Sequence, residues 1–259
     1  MSESNFSLKY QDREIIVTKN GGQVLSFKNK NQEILYQGSS PKRTGIPILF
    51  PFANPLQNNI FKPTGKEIGQ HGFARNSQFE ISQTSETVVE LRLNNESISA
   101  EMQIAYPFKF ELKIIIDLIK ENTLIYKILV TNLDQKDLPI APGLHPYFPI
   151  KHEHKSQLEI SNLYLKNIDW QEPSNGYFYD WNDEAKINFG SRQVSIKEIS
   201  DKKEFENLVL WSQIPTGNDD FDFVCIEQFT RKTNAINDNP ILVKPGKTWS
   251  IQINFEVQK

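Results

Sequence analysis

FKFELKIIIDLIKENTLIYKILVT, residues 108–131, decides the fold class. Two apolar-rich runs, Phe108–Ile119 and Leu124–Thr131, flank the polar triplet Lys120-Glu121-Asn122. Isoleucine and valine suit a pleated surface, and a short polar break between two such runs predicts an antiparallel hairpin. Working outward, Thr87–Leu93 (TVVELRL) precedes the hairpin, and Trp249–Val257 closes the chain. In that last run Trp249, Ile251, Ile253, Phe255 and Val257 share one parity, hence one face of a strand. Glu14–Thr18 and Val24–Lys28 flank Gly21-Gly22, again strand, turn, strand. Shorter runs at Glu33–Tyr36, Leu158–Ile160, Leu163–Leu165, Val194–Ile199, Leu208–Trp211 and Phe221–Ile226 continue the series.

No window of helical length carries an apolar stripe at i, i+3, i+4, i+7 with clean caps. Many strands joined by polar turns predict an all-β fold, a sandwich or barrel. Asn167–Gly190 is polar and aromatic and reads as a long irregular loop. With no repeat or linker in view, residues 1–259 read as one domain.

The charge balance is 29 − 32 = −3, which offers no basic stripe for a nucleic acid. One cysteine, Cys225, rules out an intrachain disulfide and a multi-cysteine metal site. Its place in an apolar strand reads as an inert core thiol. The N-terminal MSESNFSLKYQDREIIV has neither a basic region nor an apolar core of a secretory signal, and no run is long enough to span a bilayer. A cytoplasmic protein with no membrane partner is the expectation. The strand pattern leaves the oligomeric state open. Phosphate loops of the Walker type, dinucleotide fingerprints and hydrolase elbows are all absent from the sequence.

The four histidines can be weighed singly. His145 lies in Ala141-Pro142-Gly143-Leu144-His145-Pro146-Tyr147-Phe148. Both prolines restrict the backbone around it, giving one imidazole a rigid mount in an apolar wall. A core histidine under a proline-rich turn is the plainer alternative. His71 lies in Gln70-His71-Gly72-Phe73-Ala74-Arg75, where a strand would put positions 71, 73 and 75 on one face. An ordinary turn with a solvated arginine competes with that reading. Glu227 follows the apolar run of VCIEQFT, as a carboxylate with a raised pKa or, more simply, a rim glutamate paired to a cation. Thr44–Asn54 (TGIPILFPFAN) is apolar and broken by two prolines, which confine it to an edge or a bulge. His152-x-His154 has metal-dipeptide spacing, but charges surround it and no third ligand is evident, so a solvated hairpin tip is favoured.

Taken in order, GIPILFPFAN at 45–54, QHGFAR at 70–75, APGLHPYF at 141–148, and VCIEQFT followed by NAIN within 224–237 resemble the aldose 1-epimerase (galactose mutarotase-like) family. Lys244-Pro245-Gly246 looks like the family's closing turn, and the resemblance runs from Gly21 to Glu256. The HGFAR form is similar to LacX-like and hexose-6-phosphate mutarotase-like members. The resemblance implies a large antiparallel β-supersandwich, exchange of the α and β anomers of an aldose, and no cofactor or metal. It implies Glu227 as base and His145 as acid. It also implies that His71, Arg75, Asn54, Trp211 and Tyr147 bind a small sugar or sugar phosphate.

Two features depart from the family. Asn54 is followed by Pro55-Leu56-Gln57, where relatives often carry an arginine. The aspartate that binds sugar hydroxyls in relatives has no clear counterpart, and Asp169, Asp180 and Asp183 all lie in the right interval. Lys42, Arg43 and Arg75 are the candidate phosphate-binding cations, while Tyr147, Phe148, Trp211 and Phe73 are candidate pocket walls. The same scaffold would also suit a non-catalytic sugar-binding or sensing protein, or a purely structural sandwich.

Overall fold

The computed structural model describes residues 4–38, 43–165, 168–170, 176–213 and 221–258. Among these, the largest element is an eight-stranded antiparallel sheet. Its centre is the predicted hairpin, Phe110–Asp117 with Thr123–Asn132, in register from Phe110 opposite Asn132 to Asp117 opposite Ile125. Thr248–Gln258 pairs on the far side of the second strand, and Val88–Asn94 on the far side of the first. The alternation is regular. Leu112, Ile114 and Ile116 are buried, as are Tyr126, Ile128 and Val130, while Glu111, Lys113 and Ile115 face outward and are half-buried. The face predicted for the last strand is the buried one: Trp249 opposes Val130, Ile251 opposes Ile128 and Ile253 opposes Tyr126.

A six-stranded sheet packs against this core. Its order is Tyr177–Asp180, Asn207–Trp211, Phe223–Phe229, Gly143–Leu144 and Ile48–Leu49, with Tyr147–Pro149 also pairing with Phe223–Phe229. Val224, Ile226, Leu208 and Leu210 join the main core. Phe223 and Cys225, of the opposite parity, form a separate small cluster with Tyr36 and Tyr147. This sheet therefore has two buried faces, one towards the large sheet and one towards the site. A four-stranded sheet, Asn5–Tyr10, Arg13–Thr18, Gln23–Asn29 and Gln32–Glu33, completes the N-terminal part.

Several expectations are corrected. The supposed irregular loop 167–190 contains two strands, Tyr177–Asp180 and Glu184–Asn188. Leu163–Leu165 is not a strand, and Asn5–Tyr10 is one that the charged N-terminus concealed. Ala100–Ala105 is a short helix whose first turn is capped by the Ser99 hydroxyl, accepting from the Met102 N–H at 3.3 Å. It is too short to show the periodicity sought over longer windows. No helix among the described residues is long and apolar enough to cross a membrane.

Candidate active site

The strand Phe223–Phe229 sets the register of the site. Gly143 opposes Phe229 and Leu144 opposes Gln228, and further along Tyr147 opposes Cys225. Continuing that one register puts His145 opposite Glu227. Pro142 and Pro146 interrupt the ladder without shifting it, since neither can donate a backbone hydrogen bond. The His145 N–H instead bonds the Pro47 carbonyl at 3.0 Å on the other side. Direct cross-strand neighbours share a face, and the His145 Nε2–Glu227 Oε1 distance is 3.3 Å. Glu227 is thus inside a central strand and buried, not at a strand end as expected.

An acid and a base that flanked a sugar ring would stand apart, and at 3.3 Å no ring fits between these two. In contact, the two groups can instead exchange protons with two oxygens bonded to one carbon. Burial pushes the Glu227 carboxyl well above its usual range, with Arg75 pulling it back. Burial pushes the His145 imidazole well below its own, reinforced by His71 and Arg75. Both directions favour a neutral pair holding one proton. His145 is further fixed by rings: Tyr147 stacks on it at 4.8 Å and 14°, and Trp211 meets it edge-on at 5.9 Å.

His71 reaches the site through a tight turn rather than strand alternation. His71, Gly72 and Asn54 all have positive φ (67°, 70° and 65°). A Cβ at Gly72 would lie 2.2 Å from the Phe50 carbonyl oxygen, so only glycine permits this approach. The Asn54 backbone N–H donates to His71 Nδ1 at 3.0 Å, and the His71 N–H returns to the Asn54 carbonyl at 3.2 Å. Nδ1 therefore carries no proton, and Nε2–H is the donor. Burial, then Arg75, lowers the His71 pKa to about 3, so the ring is neutral. Its plane meets that of His145 at 84° with centroids 5.6 Å apart.

A cavity of about 680 Å³ opens over these groups, within the range of small-molecule sites. Every residue assigned to the site lines it: Glu227, His145, His71, Arg75, Asn54, Trp211 and Tyr147. So does Arg43, whereas Lys42 lies outside the described residues. Neither Arg43 nor Arg75 has a carboxylate within ion-pair distance among the described residues. Where relatives often carry arginine, Pro55 lines the cavity, and the Asn54 amide is held by Thr233 Oγ1 at 2.9 Å.

Other candidates are not brought in. Phe73 packs into the core against Phe50 and Phe110, and Phe148 packs on Phe189. Alternation explains Phe148, since its neighbour Tyr147 takes the pocket face. Asp169, Asp180 and Asp183 do not line the cavity, but Phe178, two residues before Asp180, does. Sequence reading missed Phe178 because it lay in the presumed loop. It also missed Gln70 and Thr233, which have no chemistry of their own to mark them. His152 and His154 sit in a 3₁₀ helix, His152–Gln157, rather than at a hairpin tip, and His152 is half-buried against Phe221. No cluster of metal-ligating side chains occurs among the described residues.

The fold is thus an antiparallel β-sandwich with a histidine–glutamate pair in the wall of a cavity. The chain belongs to the aldose 1-epimerase family, whose model matches residues 5–212. It is 26% identical to the chromosomal protein LacX of Lactococcus lactis subsp. lactis, across 86% of each chain. Among solved structures it is similar to the Slr1438 protein of Synechocystis sp. PCC 6803, with a TM-score of 0.82 and 23% identity, covering 100% of this chain and 98% of that one. It is also similar to a galactose mutarotase related enzyme of Lactobacillus acidophilus, with a TM-score of 0.76 and 20% identity, covering 98% and 97%. The fold is accordingly the galactose mutarotase-like antiparallel β-sandwich. The matched stretch takes in His145 but ends before Glu227.

Proposed function

We propose that the protein is a mutarotase that interconverts the α and β anomers of an aldohexose, and that an aldohexose 6-phosphate is its better substrate. The observation that carries the reading is the 3.3 Å contact between His145 and Glu227 at the cavity wall. Ring opening takes the proton from the anomeric hydroxyl to Glu227 and delivers one from His145 to the ring oxygen. The C1–O5 bond breaks as the C1 carbonyl forms. Rotation about C1–C2 and the reverse transfers close the ring on the other face. The pair starts and ends each half-cycle with one proton. Burial favours the neutral pair, which is the state ring opening leaves behind. The reactive ion pair forms by proton transfer from Glu227 to His145, and Arg75 favours the resulting carboxylate.

His71 donates from Nε2–H to a sugar oxygen beside this pair, while Trp211 and Tyr147 offer ring faces to the pyranose. Two guanidiniums with no carboxylate in ion-pair distance among the described residues support an anionic substituent, which arginine binds as a bidentate fork. The chain is proposed to work as one domain, since strands from Glu80 to Gln258 share one sheet.

The test is anomer exchange followed by polarimetry or by magnetisation transfer, on glucose, galactose and their 6-phosphates. Acceleration above buffer is expected, and its absence on every sugar sinks the reading. A second reading, sugar binding without exchange, is favoured by Pro55 in place of a cation. Calorimetry showing tight binding with no exchange would select it.

A further inference from the structure

We propose that Lys155 is a positioning residue for the sugar wall: its ammonium ties the end of strand Asn207–Trp211 to the start of strand Phe223–Phe229, and so fixes Trp211 and Phe223. The inference rests on the cavity being the sugar site.

Lys155 is 1% exposed, in the 3₁₀ helix His152–Gln157. Its Nζ donates to Ser212 Oγ at 2.7 Å and to the Phe221 carbonyl at 2.6 Å, and meets His152 Nδ1 at 3.3 Å. The three N–H groups thus face a hydroxyl, a carbonyl and a ring nitrogen, and among the described residues no carboxylate lies within ion-pair distance. Ser212 passes the link on, donating to the Phe223 carbonyl at 2.8 Å. The ammonium also lies 5.9 Å from the centre of the Phe223 ring. That ring is the hub of the wall, contacting Tyr36 at 5.1 Å, Tyr147 at 5.2 Å and Trp211 at 5.7 Å.

An apolar side chain of equal length would fill the same volume without desolvating a charge. It would not bridge two strand ends. Lys155 touches no residue assigned to proton transfer, so its effect reaches the sugar only through Trp211 and the rings behind Tyr147.

The link is also titratable. The groups facing the ammonium are His152 on its own helix, Asp222 just before the entering strand and Cys225 on it. Burial lowers the Lys155 pKa to about 8 against the pull of both acids. Above that pH one of the three donors is lost and the staple loosens, so the wall is firmest below pH 8.

The test uses protein carrying fluorotryptophan, with the Trp211 resonance assigned by Trp211→Phe. In the wild type that resonance should move with pH around a midpoint near 8. In Lys155→Met the movement should vanish. With sugar, Lys155→Met should raise KM about tenfold and change kcat less than about twofold. The wild-type rise of KM above pH 8 should be absent from the variant. Ser212→Ala removes one acceptor with little change of volume, and should raise KM about threefold. It serves as the probe if Lys155→Met does not fold. A Trp211 resonance indifferent to pH and to Ser212→Ala overturns the proposal, as does a variant that lowers kcat at constant KM. A wild type without anomer exchange overturns the mutarotase reading alone, because the Trp211 resonance is read without sugar.

Discussion

In the eight-stranded sheet, the buried parity of the central strands is apolar from Leu112 to Ile116 and from Ile251 to Phe255. On these central strands charges keep to the outer face, where Arg92 pairs with Glu111, and Lys113 lies 3.6 Å from Glu90. The exception in the sheet is Glu198, buried at the end of an outer strand and held by the Trp181 Nε1–H and the Glu204 N–H. In the six-stranded sheet, the strand Phe223–Phe229 is buried on both faces, and Glu227 occupies an inward position. Outer pairs in the first sheet are solvated and contribute little to stability. The inner pair in the second is removed from water, and its protonation is reset by that removal. One strand grammar thus yields central scaffold strands whose buried parity carries no charge, and a site where two titratable groups are enclosed at the cost of their ordinary charge states.

The largest effect that would sharpen this contrast is on rate. Glu227→Gln should lower kcat/KM for anomer exchange by ~10²–10⁴, the worth of one positioned base. Stability should move the other way. A carboxyl whose folded pKa is raised makes the fold less stable as pH rises above its unfolded value, and the amide is free of that penalty. The urea midpoint of Glu227→Gln at pH 7 should therefore equal or exceed that of the wild type. Retained activity, or a marked loss of stability, would break the distinction between the sheets.

The opposite behaviour is expected of the scaffold. Ile128 is 1% exposed and opposes Ile114 and Ile251 across two strand pairs. Ile128→Ala should cost about 2–5 kcal/mol in urea unfolding, through lost transfer energy and a residual cavity. The folded fraction should keep kcat/KM within about threefold of the wild type. If the rate collapses with stability, the two sheets are not separable in this way.

How much could be read from residues alone follows the same division. Period-two alternation carried the large sheet, because one face of each strand meets solvent and Glu111, Lys113 and Lys127 mark it. The site residues were legible by type and by proline and glycine context, and all seven assigned positions line one cavity. Their arrangement was not legible. That His145 sits opposite Glu227 depends on a register shared by two short strands with His145-Pro146 between them, and no local pattern specifies it. His71 meets the pocket through a positive-φ turn and Arg75 from the 3₁₀ helix Ala74–Asn76 that follows it, where strand parity wrongly put Phe73 between them. Phe178 was missed for a related reason: its strand is four residues long, and with exposed Phe178 and Asp180 it carries no burial signal.

A smaller effect probes what the enclosed pair is for. Arg43 and Arg75 share the cavity, and both act on Tyr147. Arg75, not Arg43, acts on the protonation of His145 and Glu227, so removal of Arg43 should be felt through the substituent it binds. Arg43→Ala should raise KM for an aldohexose 6-phosphate about ten- to hundredfold, the worth of a charged hydrogen-bonded contact. KM for the unphosphorylated sugar should change less than about twofold. Equal effects on both sugars would remove the case for an anionic substrate and leave the epimerase reading intact.

The smallest effect tests the enclosure of His71, and its sign can be worked out. A histidine whose folded pKa falls from 6.5 to about 3 leaves the unfolded chain holding the extra proton between those values. Stability must then fall as pH drops through 6.5. His145, also lowered, acts in the same direction, while Glu227, raised, acts in the opposite direction above its unfolded value of 4.5. At pH 5 the balance is two protons favouring the unfolded chain against one favouring the fold, so acid still destabilises. The His71 share at that pH is about 2 kcal/mol relative to neutral solution. His71→Asn keeps an acceptor for the Asn54 N–H but cannot be protonated, so its urea midpoint should fall less between pH 8 and pH 5, by that amount. Parallel curves for the two proteins would mean that His71 is not held neutral, and Nε2–H would lose its standing as a fixed donor to the sugar.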